Sequence, residues 1–320
     1  MTRYLVQRIL VSIPIFLGVT LLVYALYALS PGDPVVAILG AENMARLSPE
    51  QIQQVRVQYG FDKPWYVRYA RWLSDAVRGD LGWPIKGRGT VVENLKERIP
   101  PTLLLMGTAF LLALLVGIPM GIVMALKQYS WLDYLMTLVA FANLSVPAFF
   151  LWLGFIYLFA LKLDVLPTYG MQTIGADFSV LDRLEHLVMP SFILAIFYAG
   201  VWARYTRASM LEVMRSDYVT VARAKGLPES AVIIRHIFRN ALLPLVTIIS
   251  VSLPQLLGGA IIVETIFQWP GMGMLGYQAT LARDYPILMG ILLVSAAAIL
   301  TSNLIADVAY AIVDPRIRYE

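Results

Sequence analysis

Long uncharged apolar stretches dominate the pattern of this chain. Six segments of 17 to 28 residues contain no Asp, Glu, Lys, Arg or His. They cover residues 9–29, 102–126, 134–161, 187–203, 241–263 and 285–306. About 20 helical residues, rising roughly 1.5 Å each, cross a hydrocarbon core of about 30 Å. The pattern therefore predicts an all-α integral membrane protein with six transmembrane helices.

Two of these stretches have alternative interpretations. Taken by itself, the 17-residue stretch 187–203 is short enough to be a buried core helix. Residues 9–29 follow Arg3 and Arg8, and Ala28-Leu29-Ser30 imitates the cleavage site of a signal peptide. However, the stretch exceeds the usual apolar core of a signal peptide, and Pro31 would follow the cut. We expect a retained first helix.

The polar segment 31–101 is predicted to form short extracytoplasmic helices. Its helix signals are capping boxes at Ser48 with Gln51 and Thr90 with Glu93, a helix start at Pro64, and stops at Gly60 and Gly79. Trp65, Tyr69 and Trp72 form a stripe at helical spacing. Packing of this stripe at the membrane interface is favoured over a ligand cage.

Composition and charge refine this topology. Hydrophobic residues make up 59% of the 320 residues and charged residues 14%, and cysteine is absent, so no disulfide or thiolate site is possible. Twelve Lys and Arg residues fall in the termini and in the loops on the same side, against three in the short opposite loops. The positive-inside rule predicts a multi-pass protein of the cytoplasmic (inner) membrane with both termini in the cytoplasm. A net charge of +4 gives no support to nucleic-acid binding.

The apolar stretches lack the groups that ion-coupled transporters place at membrane depth. A phosphate-binding P-loop, a zinc-binding His-Glu-x-x-His helix and a serine nucleophile elbow are also missing. We therefore predict no catalytic residue, no metal site and no cofactor on this chain. Polar and helix-breaking residues inside the third and fifth stretches are candidate gate or hinge points: Asn143, Ser145, Pro147, Pro254, Gln255, Gly258 and Gly259.

The loop 204–240 contains one very short predicted helix. Asp217 is a suitable N-cap, Tyr218 to Lys225 provides eight helical residues, Gly226 fits a left-handed stop, and Pro228 starts a second helix. A helix of two turns is marginal in water. It must dock against something, and Tyr218, Val219, Val221 and Ala222 are available for burial.

The residues Asp217-Tyr218-Val219-Thr220-Val221-Ala222-Arg223-Ala224-Lys225-Gly226-Leu227 resemble the EAA loop of ABC importer permeases, in its dipeptide and oligopeptide version. Only Ala222 and Gly226 match the general EAA pattern strictly. The resemblance extends along the chain. It includes Ser30-Pro31-Gly32-Asp33-Pro34, Ser145-Val146-Pro147, Arg204 with Arg207, Glu264, Pro270-Gly271-Met272-Gly273, Arg283-Asp284-Tyr285-Pro286 and Asp314-Pro315-Arg316-Ile317-Arg318.

This resemblance implies a type I ABC importer permease fold. Residues 1–30 would hold the N-terminus and first span, 31–101 the extracytoplasmic segment, and 102–320 a five-helix core. The resemblance implies a coupling helix that sits in a cleft of an ATPase subunit, formed here by Asp217, Tyr218, Val221, Ala222, Arg223, Ala224, Lys225, Gly226 and Leu227. The implied partners are a second permease, two ATPases carrying ATP and magnesium, an external binding protein, a peptide substrate and membrane lipid.

Other functions remain open at this stage. The same branch includes permeases for dipeptides, oligopeptides, glutathione and nickel. A stand-alone secondary transporter and a membrane-embedded enzyme are both disfavoured by the charge-free spans. Copurification of ATPase subunits distinguishes a permease from a self-sufficient carrier.

Overall fold

The computed structural model describes residues 2–29, 33–258 and 260–313. These ranges fold into α-helices: α1 Thr2–Leu29, α2 Pro34–Leu39, α3 Ala41–Ala45, α4 Pro49–Gln58, α5 Trp65–Val77, α6 Val91–Leu126, α7 Trp131–Ser145, α8 Ala148–Phe155, α9 Val180–Met214, α10 Asp217–Ala224, α11 Glu229–Ala231, α12 Arg239–Gly258, α13 Ile261–Ile266, α14 Met272–Ala282 and α15 Tyr285–Val313. Two π-helical segments, Ile156–Lys162 and Val232–Phe238, extend α8 and join α11 to α12.

Four of the helices in the described ranges are long and apolar enough to cross a membrane. Their apolar parts are Gln7–Leu29, Val91–Leu126, Val180–Met214 and Tyr285–Ile305. The other two predicted spans are helical but interrupted. The third divides into α7 and α8 around Val146 and Pro147, and the fifth into α12 and α13. Pro147 lies at the first break and Pro254 shortly before the second, whereas Pro14, Pro119 and Pro190 lie inside the continuous helices α1, α6 and α9.

The segment between α1 and α6 carries the predicted helix boundaries. The capping boxes at Ser48 and Thr90 are both formed, and Gly60 and Gly79 adopt left-handed backbone with φ of +71° and +86°. The second box begins α6 itself, which continues through Pro100 and Pro101 to Leu126. The expected boundary at residue 101 thus falls inside one continuous helix.

Small residues bring α6 and α9 close together. A Cβ atom on Gly117 would lie 2.7 Å from the carbonyl oxygen of Ala199. A Cβ on Gly121 would lie 2.5 Å from both the Ala203 oxygen and the Cβ of Thr206. Glycines four residues apart let two helix backbones approach, as in small-xxx-small pairs within membranes. The α6–α9 pair is therefore the closely packed centre of the fold.

A buried polar cluster fastens α13 and α14 to α6. The Thr102 hydroxyl donates to Oε1 of Glu264 at 3.0 Å and accepts from the Met272 amide at 2.7 Å. The Met274 amide donates to Oε2 of Glu264 at 2.9 Å, and the Trp269 indole donates to the Pro101 carbonyl at 2.9 Å. Glu264 is fully buried. Buried polar groups need such partners, and here they fix how two separate parts of the chain meet.

Aromatic side chains pack α5 against α1. The Tyr24 ring lies 5.5 Å from that of Tyr69 and 6.1 Å from that of Trp72, measured between centroids. The hydroxyls of Tyr69 and Thr20 are 3.0 Å apart. Two members of the aromatic stripe therefore serve helix packing.

Candidate functional site

The short helix predicted in the loop 204–240 is present as α10, and one detail of its predicted start was wrong. Ser216 precedes the helix with extended backbone (φ −77°, ψ 148°), whereas Asp217 is its first helical residue. The Ser216 hydroxyl donates to the Val213 carbonyl instead of capping α10. An acidic residue in the first turn interacts favourably with the helix dipole, which explains the suitability of Asp217 there.

The end of α10 follows the sequence prediction closely. Lys225 terminates the helix, and Gly226 has φ of +75°. A Cβ atom on Gly226 would have no neighbour within 4 Å, so the glycine is required by the backbone conformation and not by crowding. A left-handed residue after a helix is favourable for glycine because it has no Cβ. Pro228 then precedes α11, and the chain turns sharply between α10 and the segment leading into α12.

One face of α10 is docked on this chain's own helices. Val219 is completely buried and Ala222 nearly so. They belong to an apolar cluster with Ala125 at the end of α6, Met210 of α9, and Val232, Ile237 and Ala241 of the α11 to α12 segment. A two-turn helix gains its stability from such packing. Movement of α10 is thereby linked to three long helices.

The opposite face of α10 is open. Tyr218 is 45% exposed, Val221 51% and Leu227 41%. Arg223 and Lys225 are exposed beside them. An apolar patch rimmed by charge on a short docked helix is typical of a protein-binding surface. We call Tyr218, Val221 and Leu227 the exposed patch.

An ion pair spans the turn after α10. Arg223 donates from Nη2 to Oε1 of Glu229 at 2.7 Å and from Nε to Oε2 at 3.2 Å. These hydrogen bonds hold the pKa of Glu229 below its ordinary value and raise the pKa of Arg223. Both side chains are exposed, so the pair orients the turn more than it stabilises the fold.

The segment after this turn is π-helical. Residues Val232–Phe238 form it, and Val232 and Ile237 are the buried residues that pack in the same cluster as α10. One π-helical turn inside a longer helix often occurs at functional sites. Its proximity to α10 makes this backbone irregularity part of the same site.

A second ion pair lies near the C-terminal end of α9, the end that leads into α10. Arg207 donates from Nε to Oδ1 of Asp133 at 2.9 Å and from Nη2 to Oδ2 at 2.8 Å. The amide of Tyr129 also donates to Oδ2 at 3.0 Å. This pair joins the first turn of α7 to α9, the helix that leads into α10.

The candidate gate or hinge residues lie at helix interruptions. Asn143 and Ser145 are in the last turn of α7, and Pro147 precedes α8. Pro254, Gln255 and Gly258 are in the last turns of α12, and Gly259 lies outside the described residues. The structure brings the first group to one helix break and the second to another, and their role in gating remains a prediction.

Two residues of the site lie outside the loop 204–240 and could not be found by inspecting it. Ala125 and Asp133 are distant in sequence and carry no motif. Arg207 and Met210 lie within the loop and belong to the family resemblance, the latter in Ser209-Met210-Leu211-Glu212. For metals, no cluster of three or more His, Cys, Asp or Glu side chains occurs in the part of the chain that the structure describes.

Comparison with known proteins defines the class of this chain. Residues 117–319 match the profile of the binding-protein-dependent transport system inner membrane component, and residues 1–106 match the profile of its N-terminal part. The chain therefore belongs to the family of binding-protein-dependent transport system inner membrane components. It is a membrane permease subunit and not an enzyme.

The chain is also similar over its full length to individual permeases of this family. It is 41% identical to the oligopeptide transport system permease protein AppB of Bacillus subtilis, with 100% of both chains covered. It is 35% identical to the dipeptide permease DppB of Alkalihalophilus pseudofirmus and 37% identical to the glutathione permease GsiC of Escherichia coli K12, again over 100% of both chains.

A solved structure supports the fold assignment. The inward-facing MetNI methionine ABC transporter matches with a TM-score of 0.54 and 16% identity, covering 69% of this chain and 96% of that one. At this identity the likeness concerns the fold, which is that of a type I ABC importer permease.

Proposed function

We propose that this chain is one of two permease subunits of an ATP-driven peptide importer, and that α10 is its coupling helix. The observation that carries the proposal is the two-sided geometry of α10. Val219 and Ala222 anchor it to the membrane helices, while the exposed patch faces away from them. Such a helix can receive a force from a partner and pass it to the spans.

The transmission follows from the packing. A partner ATPase that closes on ATP displaces α10 against Ala125 and Met210, at the end of α6 and in α9. Helices that pack as rigid units respond by rotation or shear, since packed interfaces switch between discrete arrangements. The ion pair between Arg207 and Asp133 carries the same motion to α7.

The proposed orientation places α10 and both termini in the cytoplasm. It is supported by the excess of Lys and Arg on that side. Two ATPases would then dock on the two coupling helices of a pair of permeases, and an external binding protein would deliver substrate to the side that holds α2 to α5. The helix interruptions near Pro147 and Gly258 are proposed as hinges.

Peptide is the proposed cargo. The support comes from the full-length relatives named as oligopeptide and dipeptide permeases. Glutathione is a second candidate, because a permease named for it is 37% identical over the whole chain. Uptake of labelled di- and oligopeptides, with and without excess glutathione, distinguishes the two cargoes.

The coupling role is tested in proteoliposomes that contain the complete transporter. A Gly226→Val variant puts a β-branched side chain at φ of +75° and should misplace the exposed patch. We expect normal membrane insertion and retained ATP hydrolysis, but uptake per ATP reduced by about tenfold or more.

The matched control is Gly175→Val. Gly175 has φ of +79° and an equally open surrounding, but it lies in the loop between α8 and α9, away from α10. Both substitutions strain the backbone alike, so only their effects on coupling should differ. Wild-type uptake per ATP in the Gly226→Val variant refutes the assignment of α10.

A further inference from the structure

A large cavity lies between α1 and the polar segment that follows it. It measures about 860 Å³ and is lined by α1, α2, the end of α4, α5, the loops on either side of α5 and the start of α15. Tyr24, Tyr27, Trp72, Trp83 and Tyr285 are among its lining residues. Its volume falls within the range of about 300 to 1,000 Å³ that is usual for ligand sites. None of its lining residues belongs to the loop 204–240.

One wall of the cavity is cationic. Its charged lining residues are Arg56, Lys63, Arg68, Arg71 and Arg283 against Asp33, Asp75 and Asp80. Arg56 is neutralised by Asp33, with Nη2 and Oδ2 2.5 Å apart. Among the residues that the structure describes, neither Arg68 nor Arg71 has a carboxylate within ion-pair distance. The wall therefore favours an anion.

Two hydrogen-bond donors of this wall lack acceptors. The Nε of Arg68 and the indole nitrogen of Trp72 are buried, and no acceptor within the described ranges reaches either one. Residues four apart lie on the same face of a helix, so both belong to one side of α5. Buried donors without a partner are uncommon, which points to an acceptor supplied from outside the chain.

The neighbouring wall is formed by α1, through Tyr24, Tyr27 and Ala28. This helix is long and apolar enough to cross a membrane, and only 6% of its apolar part is buried. Tyr24 and Tyr27 lie in the last two turns of this helix, where aromatic side chains collect at a membrane interface. The cavity thus joins a lipid-facing helix to a cationic polar segment.

We propose that this cavity binds an anionic phospholipid from the leaflet at the C-terminal end of α1. The phosphate would lie on Arg68, Arg71 and Trp72, and the acyl chains would follow the Tyr24 and Tyr27 side of α1. A guanidinium matches a phosphate through two parallel hydrogen bonds. A lipid uses both walls, whereas a free anion uses the cationic wall alone. This site is independent of the cargo and of α10.

The test measures lipid binding to the delipidated complete transporter by native mass spectrometry. Phosphatidylglycerol and phosphatidylcholine are titrated separately into wild type, Arg68→Gln/Arg71→Gln and the control Arg46→Gln/Lys96→Gln. The control removes two exposed cations of the same polar segment that do not line the cavity. We expect wild type and control to prefer phosphatidylglycerol by about tenfold, and the cavity variant to lose this preference.

A lysine variant and competition by soluble ligands distinguish lipid binding from misfolding and from binding of a free anion or peptide. Arg68→Lys/Arg71→Lys keeps the charge but not the paired hydrogen bonds, so it should retain a reduced preference even if the glutamine variant folds poorly. Soluble glycerol phosphate should compete far more weakly than the lipid. Equal binding of the two lipids, an unchanged preference in the glutamine variant, or displacement by di- or tripeptides or by glycerol phosphate at lipid-like concentrations overturns the proposal.

Discussion

Arg207 of α9 and Asp133 at the start of α7 form a two-point ion pair, with hydrogen bonds of 2.9 and 2.8 Å. The side chain of Asp133 is 3% exposed and that of Arg207 is 27% exposed. The two residues are 74 positions apart, so their pairing fixes a long-range contact between helices. It lies beside the end of α9 that leads directly into α10.

Replacing Asp133 with Asn should destabilise the protein by about 2 to 3 kcal/mol. The substitution leaves a partly buried Arg207 without its counterion, and a fully buried pair broken in this way costs roughly 3 to 5 kcal/mol. Thermal unfolding in detergent measures the change. The exposed Asp177→Asn variant is the control and should melt like wild type. If both variants melt alike, the pair has no structural role.

Gly121→Val should destabilise the α6–α9 packing. A Cβ at this position meets backbone and side chain at 2.5 Å, and overpacking of this kind costs about 1 to 3 kcal/mol. Gly107→Val changes the same helix in the same way, but a Cβ there meets nothing within 4 Å. The prediction requires a lower unfolding temperature for the first variant relative to the second.

Val219→Asp and Val221→Asp should separate folding from coupling. Val219 is buried, so an unpaired carboxylate there should lower the yield of folded protein. Val221 is half exposed, so its replacement should change the free energy of unfolding by no more than about 0.5 kcal/mol. Copurification of the ATPases should nevertheless fall by about tenfold or more. Normal ATPase binding by folded Val221→Asp protein contradicts the proposed surface.

Thr102→Val should cost about 3 kcal/mol of stability. The methyl group leaves both the Met272 amide and one oxygen of the buried Glu264 without a partner, at roughly 1 to 3 kcal/mol each. Thr102→Ser keeps the hydroxyl and should restore most of the loss. The exposed Thr280→Val removes only a bond within α14 and serves as the control in thermal unfolding.

Glu229→Gln should lower uptake per ATP by about twofold, because Arg223 loses its ionic partner across the turn. The depressed pKa of Glu229 gives the pH dependence. The pair is complete above the ordinary glutamate pKa of about 4.3 and is lost only as pH falls through the lower folded value. Wild-type coupling should therefore be flat between about pH 8 and 6. Proteoliposome uptake over this range measures it.

The sequence was sufficient to predict where the apolar helices lie and that α10 is present, but not the breaks in two spans or the charged starts of α6 and α9. Gly226 and Pro228 predicted the end of α10, because such signals are local. The first residue of α10 was harder to predict, since Ser216 and Asp217 both suit an N-cap. Sequence signals commonly place helix ends only to within one or two residues.

The contacts that give α10 its two faces could not be predicted in the same way. Val219 is buried in a cluster that includes Ala125 of α6, a residue in another helix with no motif around it. The pairing of Thr102 with Glu264 joins residues 162 positions apart. Such contacts depend on how the helices are arranged in space, and a single sequence gives the pattern of each helix but not its neighbour.

The length of α6 has a mechanical consequence. Near its start, Val91 and Leu95 pack with Met272 and Ile287, and at its other end Ala125 packs with Val219. Its 36 residues extend about 54 Å at roughly 1.5 Å per residue. A tilt of about 5° at one end therefore moves the other by about 5 Å. Because α6 is one continuous helix packed at both ends, a movement at one end is transmitted to the other.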